Sequence, residues 1–178
     1  MHDLLDETTV SIFVDWVYTQ RLPQTELEWC NGKHEDHRLR MKSNAQLART
    51  KALILDDRIV SPLFYRTVRD SLIEHIVESG AYCGASIHAF AHLPKAHAIL
   101  DLFVEVQCRG FDDPYDTAGN SELELRASLP HDFLVRVMFR YSRSDEEELP
   151  LDDIDRCDYH GHADEEEKKQ YQTEVNRD

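Results

Sequence analysis

Residues 45–76, AQLARTKALILDDRIVSPLFYRTVRDSLIEHI, read as two helices joined at a sharp break. The first begins near Ser43 and carries Leu47, Ala48, Ala52, Leu55 and Ile59, an inner stripe at three- and four-residue spacing. Ser61 then supplies an N-cap and Pro62 the favoured first helical position. The second helix places Phe64, Val68, Leu72 and Ile76 on one face and ends at Gly80, expected as a left-handed C-cap. Such a pair, with no alternating pattern between its members, sets the expectation of a mainly α fold with at most one or two short strands.

On the N-terminal side, SIFVDWVYTQRLP (11–23) continues that expectation. Val10, Phe13, Val14 and Val17 follow helical spacing, and Ile12 and Trp16 form a second apolar edge. Thr8 or Thr9 is expected to cap this helix, with Asp6 and Glu7 near its positive end, and Pro23 bounds it. A helix apolar around more than half its circumference is normally covered on two sides. Around Leu27–Trp29 a short extended piece is expected, and Asn31-Gly32 signals a turn.

On the C-terminal side, a helix is expected over 85–92, ended by Pro94. Another follows, with Ile99, Leu102, Phe103 and Val106 inward and Gly110 closing it. Residues 110–128 read as a polar loop. LPHDFLVRVMFRY (129–141) opens a final helix with Phe133, Leu134, Val137, Met138 and Tyr141 inward. Residues 143–178 hold 14 acidic and 5 basic side chains, nine of the fifteen net negative charges of the chain. So few large apolar groups cannot offset the entropy of ordering, so this tail is expected to be disordered. The organisation is therefore a helical domain over 1–142 and an acidic tail over 143–178.

Of the 178 residues, 41% are hydrophobic, enough for a core, and the net charge of −15 repels polyanions. Nucleic acid and anionic membrane surfaces are thus unfavoured partners. No apolar run spans a bilayer, and MHDLLDETT (1–9) lacks the basic start and apolar stretch of a secretory signal. The scattered Cys30, Cys83, Cys108 and Cys157 read as reduced thiols of an intracellular protein, in cytoplasm or nucleus.

The order of these segments resembles the fungal BTB/POZ-domain proteins over roughly residues 8–142. The resemblance rests on Trp16, Tyr18 and Thr19 as a W-x-Y-T motif. It rests also on the junction Leu55, Asp57, Arg58, Pro62, Leu63, Phe64, and on the helices after it. It implies the helical C-terminal half of a BTB/POZ-like fold with additional C-terminal helices. It also implies a short strand after the W-x-Y-T helix, with Trp16 and Tyr18 as packing residues. In that family, strands, a hairpin and helices precede this motif; here only Met1–Glu7 stand ahead of the first helix. A truncated domain is therefore expected, with Phe13, Trp16 and Val17 left as exposed, partner-binding apolar residues. Half-exposing such side chains forfeits about 1.5–3 kcal/mol each, against a total stability of about 5–15 kcal/mol. Marginal stability or self-association is the consequence.

The resemblance implies a noncatalytic protein–protein interaction module. Its partners would be a second protein or a second copy, with adaptor duty on a cullin-type ubiquitin-ligase scaffold as a further implication. The competing reading is a small zinc-binding or Cys/His-dependent enzyme, or a nonfunctional fragment. Its candidate ligands are Cys157, His160 and His162, and Cys30, His34 and His37. Neither set has a finger spacing, and both read as solvated polar segments. His88, His92 and His97 approach helical spacing but are split by Pro94. Cys83 with His88 is the best nucleophile–base pair, yet lacks a glycine-turn oxyanion site and an orienting carboxylate. No catalytic, metal or cofactor site is expected.

Overall fold

The computed structural model describes residues 6–32, 38–110, 121–142 and 154–160. These residues form eight α-helices and a 3-10 turn, with no strand among them. The mainly α expectation is met. The helices are α1 (Glu7–Thr19), α2 (Glu26–Trp29), α3 (Arg38–Ile59), α4 (Pro62–Ser79), α5 (Cys83–His92), α6 (Ala98–Gly110), α7 (Ser121–Arg126) and α8 (His131–Tyr141).

Helix α3 is the axle. It packs against α1, α2, α4 and α5, while α6 bridges α4, α5 and α8. Ala45, Gln46, Ala48, Arg49, Thr50, Ala52, Leu53, Ile54, Leu55 and Asp56 are all buried. The single stripe expected for α3 is therefore too narrow. Leu47 is half-buried and Ile59 exposed, because small alanines let neighbours close on α3 from several directions. Helices α4 and α6 match expectation: Phe64, Val68, Leu72 and Ile76, and Ile99, Leu102, Phe103 and Val106, are buried.

Polar side chains at the centre set the register. The Gln46 side-chain amide donates to the Gly80 carbonyl (2.8 Å) and faces His75 Nδ1 (3.3 Å), while its oxygen accepts from the Tyr82 N–H (2.9 Å). One residue of α3 thus holds the α4–α5 corner, where Gly80 takes φ +87°, a region that suits glycine. With ψ 174° this cap keeps a positive φ but lies outside the left-handed helical region expected. Arg49 lies over the Trp29 ring at 4.4 Å and donates to Ser71 Oγ and the Ala45 carbonyl, both at 3.1 Å. Burial lowers its pKa to about 10, so it remains cationic at neutral pH.

Four local expectations are corrected. The stretch around Trp29 is helical: Thr25 and Glu28 form a capping box, and Trp29 is fully buried. Asp6, not Thr8 or Thr9, caps α1 by accepting the Thr9 N–H at 2.8 Å. Part of the expected 110–128 loop is α7. Its Glu122 accepts from Ser43 Oγ and, at 2.5 Å, from the Cys83 N–H, tying α7 to α3 and α5. In α8, Phe133 is buried and Val137 half-buried, whereas Leu134, Met138 and Tyr141 are exposed. Arg136 pairs with Asp101 (2.9 Å) and Arg140 with Glu105 (2.6 Å). These ion pairs rotate the outer apolar edge of α8 away from α6.

Within the segment expected to be disordered, residues 154–160 are described, and Arg156–Asp158 forms a 3-10 turn. Ile154, Cys157 and His160 are buried at three-residue spacing, and Tyr159 packs against the core. His160 Nε2 lies 3.6 Å from Asp70 of α4. The rest of 143–178 lies outside the described residues.

Candidate functional site

The site follows from how α1 is seated. Thr9, Ile12 and Trp16 are buried, and both Phe13 and Trp16 meet Phe64 with ring centroids at 5.1 Å. Lys51 pairs with Asp6 at 2.5 Å, pinning the start of α1 to α3. Burial would raise the Asp6 carboxyl, but hydrogen bonds from Lys51 and Thr9 outweigh it and hold it below its ordinary value.

At 100° per residue, Val10, Val14 and Val17 stand roughly 110° around the helix from that seat. They are 41%, 43% and 47% exposed and follow i, i+4, i+7 spacing. The expected contact set therefore splits. Trp16, at 6% exposed, is sealed inside and is withdrawn as a contact residue. Phe13 is half-buried against Phe64, and Val17 is open to solvent. Val10 and Val14, grouped with Phe13 and Val17 on one expected helical face, join Val17 on the outer edge. Tyr18, expected to pack, is 84% exposed. The indole wins the interior because it removes more apolar area from water than a valine does.

Leu63, exposed at the start of α4, lines a groove with Gln20, Arg21 and Leu22. The groove has a volume of about 660 Å³. Its far wall is charged, with Arg66, Asp70, Glu74 and Glu78 at four-residue intervals along α4. Burial raises the pKa of Glu74, while Arg156 of the 3-10 turn opposes that shift. An apolar edge beside a charged groove can hold a polypeptide surface through burial and side-chain complementarity.

Nucleophilic chemistry finds little support in the thiols. Burial, followed by the Glu122 carboxylate, pushes Cys83 up to about 12. Burial, followed by Glu105, pushes Cys108 up to about 11. Both stay protonated at neutral pH, whereas the thiolate is the attacking form. His88, the partner weighed for Cys83, is governed first by burial and then by His92, Lys51 and Asp6. Among the described residues, no three His, Cys, Asp or Glu side chains are grouped to hold a metal. Cys157 and His160 are buried and Cys30 is half-buried, while His34, His37 and His162 lie outside the described residues.

Among the described residues, no helix is long and apolar enough to cross a membrane. No family model, curated protein or solved structure matches the chain.

Proposed function

We propose that the protein is a noncatalytic interaction module of the BTB/POZ type that associates with a second copy of itself through the outer edge of α1. The observation that carries this reading is the Val10, Val14, Val17 stripe, left bare while Ile12 and Trp16 on the same helix are sealed. A stripe of this spacing matches the knob positions by which two helices interdigitate. The raised thiols support a noncatalytic role, and the net charge of −15 disfavours nucleic acid. The four cysteines, widely separated along the chain, accord with an intracellular setting. Adaptor duty on a cullin-type ubiquitin-ligase scaffold extends the same reading, with the charged groove as the surface available to it.

Sedimentation velocity tests it. The wild-type chain is expected to self-associate with a dissociation constant on the order of 100 µM or tighter. Val14→Glu with Val17→Glu is expected to sediment as a monomer with an unchanged helical spectrum. A wild-type chain that stays monomeric well above that concentration would contradict the proposal.

A further inference from the structure

On α5, His88 and His92 stand one turn apart, with ring centroids at 4.6 Å and planes tilted by 56°. His88 is half-buried, yet its Nε2 is shielded from water and has no hydrogen-bond partner, an arrangement rare enough for a buried polar atom to require a reason. His92 is exposed at the helix end. The third histidine considered from the sequence is occupied elsewhere: His97 Nε2 lies 2.8 Å from the Tyr65 hydroxyl, and its Nδ1 accepts the Ile99 N–H.

We propose that His88 and His92 form a two-nitrogen chelate for a borderline-soft divalent cation of the Zn²⁺ class, with water completing the coordination. Two imidazoles at i and i+4 project from one helix face, a spacing that lets both reach one ion at about 2.0–2.1 Å per bond. In the tautomer protonated at Nδ1, a bound ion would take the His88 Nε2 lone pair, which no protein donor uses. Lys51 would repel a cation, but its charge is balanced by Asp6 at 2.5 Å. With two protein ligands and an open side at His92, the site suits reversible binding rather than a closed structural centre. The inference is independent of the self-association reading, since α5 carries none of the α1 edge.

The test is residue-resolved, because other histidines lie outside the described residues. The full chain is titrated with Zn²⁺ while long-range ¹H–¹⁵N spectra follow the imidazole nitrogens. The rings of His88 and His92 are expected to shift together and saturate with one ion. His92→Ala, at an exposed position, is expected to weaken the response of His88 by about tenfold or more, while His131→Ala changes nothing. A His88 ring that does not move under excess Zn²⁺, or that moves equally well in His92→Ala, would overturn the proposal.

Discussion

Gln46→Leu is expected to destabilise the protein by about 3–4 kcal/mol, read as a fall in the urea midpoint with little change in slope. The leucine fills a similar volume, so packing is not what is lost. Three buried or half-buried groups lose their partner at once: the Gly80 carbonyl, the Tyr82 N–H and His75 Nδ1. Each orphaned group costs about 1–3 kcal/mol, part of which local rearrangement recovers. Tyr82 is the N-cap of α5, so that helix should fray first and its amides exchange faster than those of α4. Gln46→Glu retains the acceptor for Tyr82 but loses the donor to Gly80, and is expected to fall between wild type and leucine. A cost below about 1 kcal/mol for the leucine variant would show that the corner is held by apolar packing alone.

Acidification is expected to weaken the fold well before its carboxylates are protonated. Burial, reinforced by Arg49 and Lys42, lowers His75 to about 4, and burial with His92 and Lys51 lowers His88 to about 4. In the unfolded chain both titrate near 6.5. Between pH 6.5 and 4 the unfolded state therefore binds protons that the folded state refuses, and stability falls as pH falls. For His75 the full loss amounts to about 3 kcal/mol; the less buried His88 adds a smaller share. Asp6 and Glu105, held low by their cationic partners, contribute stability above their unfolded pKa values. That contribution disappears only as pH falls through the folded values, below the histidine window. Glu74, raised by burial, acts with the opposite sign. Denaturant midpoints measured from pH 7 to 4 should descend steeply for wild type. With His75→Leu and His88→Leu combined, the descent above pH 4.5 should flatten, and an unchanged slope in that variant would refute the assignment.

Legibility followed amphipathicity. In α4 and α6 every position expected inward from spacing is buried, while Ile73, His75 and Val77 of α4 and Leu100, Val104 and Glu105 of α6 are buried as well, covered by neighbours that spacing cannot show. Helix α1 is apolar on two edges, and spacing cannot choose between them. The choice falls to tertiary contact, where Trp16 and Phe13 find Phe64 and the valines are left outside. Trp29 lies on a short helix rather than the expected extended piece, and Thr25 and Glu28 are the local signal for it, a capping box. The role of Glu122 carries no local signal, because its partners Ser43 and Cys83 are distant in the chain. Ile154, Cys157 and His160 are hidden among acids, and three-residue spacing over a single turn is too short to stand out.

The candidate site was legible in kind rather than in detail. Its large apolar residues on α1 stood out at once, and Val17 proved exposed. Trp16, the most conspicuous of them, belongs to the core because burying the largest apolar surface is the largest available gain. The outer edge is instead made of three half-exposed valines, individually unremarkable on a protein surface. Their common face is what distinguishes them.

Valine methyl spectra of the full chain, recorded across a concentration series, test the self-association surface most directly. The methyl signals of Val10, Val14 and Val17 are expected to shift together as concentration rises, while the buried Val68 and Val106 of α4 and α6 stay fixed. Methyl signals of the α1 edge that do not move as the protein associates, or that move no more than those of Val68 and Val106, would contradict the account.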